Sequence, residues 1–222
     1  MTDAELQTLT AFVVRRREVL LLRHRYTGIQ FPAGLVEPDE APEAAALRVA
    51  AEQTGLDGIG WAAPAGVTVE EVVGEEVVGA GWLVARTAPV FFRPDVRSPS
   101  WAILRRGVSV TSEREDGAFV QVTYEEVDRA SSPQFLTARI TGWVAREALT
   151  KVRRRLFFVL PFEGEAPAAW AVSDGRDERA LFWAGVDRLP AIMAPQDQWI
   201  PYLTAATGGA PLLSAMMGKA AA

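Results

Sequence analysis

The feature that most constrains the fold is a segment with the marks of a loop followed by a helix, FPAGLVEPDEAPEAAALRVAAEQTGL, from Phe31 to Leu56. Asp39 is predicted to cap the helix, because its carboxylate can accept a hydrogen bond from the first unpaired amides. Pro42 is tolerated in a first turn, and the alanines that follow are strong helix formers. Gly55 can take the left-handed conformation that ends a helix. The segment therefore predicts a helix with a defined start and end.

The polar residues of this segment have a characteristic spacing. Gly34 is followed after five residues by Glu40, after seven more by Arg48, and then by Glu52 and by Gly55 with a leucine behind it. This spacing resembles the Nudix box, G-x5-E-x7-R-E-U-x-E-E-x-G-U, in which U is a bulky aliphatic residue. The apolar run just before the Pro-Ala-Gly turn also agrees with that family.

The resemblance implies an α+β fold, a Nudix-like mixed β-sheet sandwiched between α-helices, with the box helix against the sheet. The chain itself predicts a β-hairpin from residues 8–14 and 19–23, linked by the polar turn at Arg15–Arg17. The apolar run 156–160 is predicted to be a central strand. Short helices are predicted at residues 145–152 and 211–217, and another after the acidic turn at residues 186–190.

The stretch from about residue 57 to 146 is longer than a minimal Nudix core needs. It contains recurring short β-prone runs separated by Gly, Pro and charged turns, at residues 66–73, 76–84, 89–92, 101–104, 108–111, 119–124 and 135–143. We therefore interpret residues 1–222 as a single Nudix-like domain with a β-rich insertion at about 93–132. Such an insertion could cover the substrate or form a dimer contact.

The resemblance also implies a reaction and a metal site. Members of the family cleave the pyrophosphate of a nucleoside diphosphate linked to another group, with Mg²⁺ or Mn²⁺ to neutralise phosphate charge and activate water. Glu52 would be the chief metal ligand of the box, and Arg48 would orient it for catalysis. Glu40 would brace the loop or bind a second ion, and Gly34 belongs to the same metal site.

Two positions of the box depart from the family pattern. The family has carboxylates at i, i+3 and i+4, which lie on one helix face and suit hard divalent cations. Here those positions are Val49, Glu52 and Gln53, so one carboxylate remains. Valine cannot bind a cation, and glutamine offers only a neutral amide oxygen. Two hypotheses follow: a pyrophosphate hydrolase with a rebuilt metal site, or a catalytically impaired protein that binds a nucleotide-like ligand as a sensor or regulator.

Charged residues outside the box supply further candidates. Arg153 and Arg155, before the predicted central strand, and Arg23 could bind substrate phosphate, since arginine can hold phosphate oxygens bidentately; a solvated strand end is the alternative. Glu75-Glu76 or Glu125-Glu126 could complete the metal site, although surface charge also explains such pairs.

Composition limits the remaining possibilities. The chain has 222 residues, 49% of them hydrophobic and 23% charged, which is typical of a globular protein. Its net charge of −5 argues against general nucleic-acid binding. It has no cysteine, which excludes thiolate metal sites and fits a reducing compartment. Neither a membrane span nor a signal peptide is visible. We therefore expect a cytoplasmic protein with a small-molecule ligand, and a homodimer is possible.

Overall fold

The structure is a computed structural model that describes residues 5–72, 81–128, 135–173 and 178–208. The chain divides into two compact units, one comprising Met1–Gln7 and Val69–Arg154 and the other Thr8–Thr68 and Arg155–Ala222. The described residues contain two α-helices, α1 (Pro42–Thr54) and α2 (Ile200–Gly208). Short 3-10 helices occupy Arg146–Ala148 and Gln196–Trp199. The helix predicted at residues 211–217 lies outside the described residues.

The described residues form fifteen β-strands, numbered along the chain. They are β1 (Leu6–Arg15), β2 (Glu18–His24), β3 (Gly28–Gln30), β4 (Ala33–Leu35), β5 (Ala63–Glu71), β6 (Gly81–Val84), β7 (Ala88–Phe91), β8 (Ser100–Leu104), β9 (Ser109–Asp116), β10 (Phe119–Asp128), β11 (Phe135–Ala145), β12 (Leu149–Thr150), β13 (Val152–Pro161), β14 (Ala169–Ser173) and β15 (Glu178–Gly185). Two sheets contain all of these strands.

The first sheet has eight strands, in the order β14-β15-β2-β1-β13-β5, with β3 paired to β2 and β4 paired to β1. The predicted hairpin is confirmed, because β1 and β2 are antiparallel with Val14 opposite Val19. The predicted central strand is also confirmed: β13 contains the apolar run 156–160 and lies between β1 and β5.

Both faces of the first sheet are buried at its central strand β13. Along β13, Phe158 and Leu160 belong to the apolar cluster that contains Val49 of α1. Phe157 belongs to a second cluster, which contains Leu203 of α2. This alternation follows from the two-residue period of a strand, which directs successive side chains to opposite faces. It places the box helix on a defined face of the sheet.

The second sheet has seven strands, in the order β12-β6-β9-β10-β11-β7-β8. Its core is an apolar cluster that includes Trp82, Val90, Val120 and Val144. The β-prone runs predicted between residues 57 and 146 therefore form strands wherever the structure describes them. The sheet-rich α/β character of the fold is confirmed. The sandwich between helices, the single-domain interpretation and the insertion at 93–132 stay predictions.

The start of α1 corrects one prediction. Asp39 is not the N-cap; it lies in the preceding loop with φ 63°, and the helix begins at Pro42 after Ala41. The residue before a proline is restricted to extended conformations, and Ala41 accordingly has φ −66° and ψ 135°. The end of the helix is as predicted, since Gly55 has φ 66° and its N–H donates to Ala51 O at 2.8 Å.

Three further predictions of local structure need correction. Gly34, expected in a loop, is the middle residue of β4 and pairs with Leu9 of β1. The helix predicted at residues 145–152 is a single 3-10 turn followed by β12, because Leu149 and Thr150 pair with β6. The helix predicted after residues 186–190 begins only at Ile200. No helix of the described residues is long and apolar enough to cross a membrane.

Candidate functional site

Arg48 is the centre of the polar contacts in the box. From the middle of α1 its guanidinium donates to both carboxylate oxygens of Glu40, each at 2.8 Å. It also donates to the carbonyl of Leu35 at 3.1 Å and to Glu52 Oε2 at 3.2 Å. The sequence spacing therefore brings Glu40, Arg48 and Glu52 together. The planar guanidinium matches the Glu40 carboxylate bidentately, a geometry that lysine could not reproduce.

Glu40 is fully occupied by these contacts. Besides the two bonds from Arg48, its Oε2 accepts a hydrogen bond from the backbone N–H of Glu37 at 3.0 Å. The hydrogen bonds from Arg48, aided by the backbone N–H of Glu37, lower the pKa of Glu40 from 4.5 to about 2, although partial burial opposes this. The bond with Glu40 likewise raises the pKa of Arg48. Glu40 is therefore a charged brace that joins the loop to the helix.

Val49 fills the space next to Gly34. The valine is 2% exposed and belongs to the apolar core beneath α1. A Cβ atom built on Gly34 would lie 2.7 Å from Val49 Cγ2 and 3.3 Å from Cγ1. Only a glycine in β4 leaves room for this side chain. Position 49 is therefore a packing position, in contact with the strand rather than with solvent.

Gln53 forms two hydrogen bonds with the backbone of β4. Its amide nitrogen donates to Ala33 O at 2.7 Å, and its amide oxygen accepts from Ala33 N at 3.2 Å. The side-chain amide thus bonds to Ala33 as a neighbouring strand would, with one donor and one acceptor. A carboxylate could not do both, because it has no N–H to offer. We call the contacts of Val49 with Gly34 and of Gln53 with Ala33 the α1–β4 clasp.

These contacts decide whether a divalent metal fits the box. Mg²⁺ and Mn²⁺ require several oxygen ligands. Val49 is apolar and buried, the amide oxygen of Gln53 is bonded to Ala33, and Glu40 is bonded to Arg48. Of the box carboxylates, Glu52 is the more open, since its side chain is 61% exposed, although its Oε2 accepts a hydrogen bond from Arg48. Across the described ranges 5–72, 81–128, 135–173 and 178–208, no group of three or more His, Cys, Asp or Glu side chains could hold a metal ion. The box residues do not fit the metal that the family implies.

The arginines predicted to bind phosphate lie in different environments. Arg23 is exposed on β2, with its guanidinium carbon 5.2 Å from the ring centroid of Phe182. Arg155 is 7% exposed, and its guanidinium lies 3.9 Å from the ring centroid of Trp199. Arg153 is half-buried near the start of β13. Their predicted role in substrate binding stays a prediction.

Of the acidic pairs outside the box, the one that the structure describes gives no support to a metal site. Glu125 lies on β10 and forms an ion pair with Arg139 at 3.4 Å, which is the cross-strand pairing expected of surface charge. Glu126 is exposed on the same strand. Glu75 and Glu76 lie outside the described residues.

Sequence reasoning missed a cavity in the unit that contains the box. The cavity has a volume of ≈ 830 Å³, which is within the range of ligand pockets, and it is lined by the end of β1, by Glu18 and by residues 161–166. Arg15 lines it, donates to Glu18 Oε2 at 3.0 Å and lies 4.0 Å from the ring centroid of Trp183. The sequence showed only a basic turn here, since the tryptophan is distant in the chain.

Comparison with known proteins supplies one match. A family model described as the NUDIX domain matches residues 6–88, a range that contains the whole box and strands β1 to β6. No curated protein matches the chain.

Proposed function

Because residues 6–88 are a NUDIX domain and the chain is therefore a member of the Nudix superfamily, we propose that it binds a small nucleotide-like ligand and cleaves pyrophosphate slowly or not at all. At the level of the superfamily, the domain supports a Nudix-type hydrolase that acts on small nucleotide-like substrates. The observation that carries the narrower proposal is the α1–β4 clasp. It occupies two of the three helix positions from which the family binds its metal.

In this proposal the clasp replaces a bound metal while the fold is kept. Val49 and Gln53 hold β4 against α1, the valine through packing and the glutamine side chain through two hydrogen bonds to the backbone of Ala33. Arg48 and Glu40 hold the intervening loop through charged hydrogen bonds. Each bond that stabilises this arrangement also removes an oxygen that could have served as a ligand. We therefore expect the loop and helix to stay ordered without a cation.

Phosphate recognition in this proposal comes from arginine rather than from metal. Arg23 is the best-placed of the three predicted residues, because it lies within the matched domain and its side chain is exposed. Its guanidinium can hold phosphate oxygens bidentately while its plane stays close to Phe182. Arg153 and Arg155 remain second candidates, outside the matched range.

The test is a screen of nucleoside diphosphate derivatives that reads both thermal shift and turnover, each with Mg²⁺, with Mn²⁺ and with EDTA. The expected result is a ligand that raises the melting temperature equally in all three buffers, with little or no turnover. Glu52→Gln should leave that shift unchanged, whereas Arg23→Ala should reduce it. A ligand whose shift depends on metal and disappears in Glu52→Gln would contradict the proposal.

The second candidate function is a hydrolase with a rebuilt metal site, favoured by the exposed carboxylate of Glu52. It predicts metal-dependent turnover that Glu52→Gln abolishes. The matched control is Glu43→Gln, which removes an acidic residue from the first turn of the same helix, away from the box contacts. Turnover that survives in the control and is lost in Glu52→Gln would establish the hydrolase and exclude the pure binding protein.

A further inference from the structure

The cavity at the end of β1 is a ligand-sized space that the proposed function does not use. It lies where β1 and β13 end together, since the N–H of Phe162 donates to Val14 O at 2.8 Å. Its volume of ≈ 830 Å³ is large enough for a nucleoside. Arg23 is five positions past Glu18 along β2, so their Cα atoms are about 16 Å apart. The cavity and the predicted phosphate contact are therefore separate places in the same unit.

One wall of the cavity is the guanidinium of Arg15, which is held on two edges and one face. Its Nε donates to Glu18 Oε2 at 3.0 Å, and its Nη1 donates to Ala166 O at 3.4 Å. The ring centroid of Trp183 lies 4.0 Å from the guanidinium carbon. Among the described residues that line the cavity, Arg15 is present and Trp183 is not. With the indole on one face, the other face of the guanidinium is left for the cavity.

Packing behind Arg15 keeps this wall in place. Trp183 is stacked on Phe162 with 5.9 Å between ring centroids, and both side chains are buried. A Cβ atom built on Gly164 would lie 2.8 Å from Phe162 Cζ, so the phenyl ring is closely covered on the cavity side of the chain. A guanidinium plane fixed in this way is a stacking surface for flat heteroaromatic rings, nucleobases among them.

The charges around the cavity favour a ligand that donates hydrogen bonds. Glu163 and Glu165 line it, are exposed, and have no hydrogen bond or ion pair within the described part of the chain. Together with Glu18 they set three carboxylates against the two guanidinium groups of Arg15 and Arg16. The excess of negative charge disfavours a free phosphate. Ionised carboxylates only accept hydrogen bonds, so they suit a neutral ring that carries N–H groups.

We propose that this cavity binds the base of a purine nucleoside, with the ring stacked on Arg15 and its N–H groups donated to Glu163 or Glu165. Guanine fits best, because its ring N1–H and its N2 amino group are adjacent donors that one carboxylate can accept together. Adenine offers a single amino group, and uracil a single ring N–H. The inference goes beyond the proposed function and does not rest on it, since the base alone makes these contacts and neither phosphate nor metal is needed.

The first test is calorimetric titration with guanosine and inosine in EDTA; inosine differs from guanosine only by lacking the N2 amino group. Guanosine should bind the wild type at least tenfold more tightly than inosine. Arg15→Lys keeps a cation beside Glu18 but loses the planar surface, and it should weaken guanosine binding at least tenfold. The matched control is Arg114→Lys, at an arginine 4.9 Å from the ring of Trp143, which should leave the affinity unchanged. Circular dichroism checks that both variants fold.

The second test changes the carboxylates. Glu163→Gln combined with Glu165→Gln alters two exposed side chains that have no partner among the described residues, so the fold is not at risk. The double variant should lose most of the preference for guanosine over inosine, because an amide oxygen is a weaker acceptor than a carboxylate.

The outcomes separate this site from the proposed function. No guanosine binding by the wild type at millimolar concentration, or equal affinity in Arg15→Lys, would overturn the inference. If nucleoside diphosphates still gave a thermal shift that Arg23→Ala reduces, the proposed function would stand without it. Guanosine binding that Arg15→Lys weakens, in a protein that shows no such shift, would support the cavity as a base site and contradict the proposed function alone.

Discussion

Gln53→Glu should weaken the protein at neutral pH by breaking one half of the α1–β4 clasp. Glutamine donates to Ala33 O at 2.7 Å and accepts from Ala33 N at 3.2 Å. A carboxylate keeps the acceptor but has no donor, so it would place a negative oxygen against the carbonyl of Ala33. The substitution changes the size of the side chain very little, and its effect therefore reports on the hydrogen bond.

The expected loss of stability comes from one broken hydrogen bond, which leaves the carbonyl oxygen of Ala33 facing the charged carboxylate. A partly buried acceptor that loses its donor costs about 1–3 kcal/mol, and the half-buried position of this pair favours the lower half of that range. A loss of about 1–2 kcal/mol corresponds to roughly 2–8 °C in melting temperature for a chain of this size.

The loss should depend on pH. A carboxyl group that faces a carbonyl oxygen is favoured in its neutral form, so its pKa in the folded protein lies above the value of about 4.3 found in unfolded chains. When protonated, its O–H can donate to Ala33 O and restore the bond. The penalty should therefore be absent below the unfolded pKa and should grow as the pH rises through the folded pKa.

The assay is thermal or urea unfolding at pH 4 and pH 7 for the wild type, Gln53→Glu and the control Gln53→Leu. The control loses both hydrogen bonds at every pH and should show a constant penalty. Equal stability of Gln53→Glu and the wild type at pH 7, or a penalty identical at the two pH values, would refute the clasp as described.

Two further predictions concern the same unit. Gly34→Ala should destabilise the protein by about 1–3 kcal/mol, because the added Cβ would lie 2.7 Å from Val49 Cγ2; unfolding of the double variant with Val49→Ala should show a smaller loss than the sum of the single variants, and simple additivity would contradict the contact. The pair of Glu40 with Arg48 should stabilise the protein fully above pH 4.5 and lose its contribution as the pH falls towards 2, because the folded pKa of Glu40 is depressed from 4.5 to about 2. In Arg48→Met that pH dependence should flatten and NMR titration should show the Glu40 pKa close to its ordinary value, whereas an unshifted titration would show that Arg48 is not its cause.

The sequence predicted those features of the box that depend on local chemistry. Pro42 and Gly55 marked the ends of α1, because each has a backbone preference that acts regardless of tertiary structure. Asp39 misled, since the restriction that Pro42 imposes on Ala41 decides where the helix begins. The spacing of Glu40, Arg48 and Glu52 is that of the Nudix box, and in the structure the guanidinium of Arg48 bonds to both carboxylates.

The sequence could not predict which contacts the side chains at positions 49 and 53 make. That Val49 lacks a carboxylate is visible in the sequence, but its contact with Gly34 depends on how closely β4 approaches α1. The bonds of Gln53 to Ala33 likewise join residues twenty positions apart. Strand positions in the second sheet were predictable from β-prone runs, whereas their order depends on long-range pairing that local patterns do not encode.

The contact between Gly34 and Val49 also bears on whether the box could regain its metal by mutation. A carboxylate at position 49 alone would enter a core position that is 2% exposed. Burying an uncompensated charge there would strongly destabilise the fold. A carboxylate at position 53 alone would break a bond to Ala33 without assembling a ligand set. Each single step loses stability before any affinity for a cation is gained. Restoring the carboxylates at positions 49 and 53 therefore requires simultaneous changes, or a prior gain of stability elsewhere in the chain.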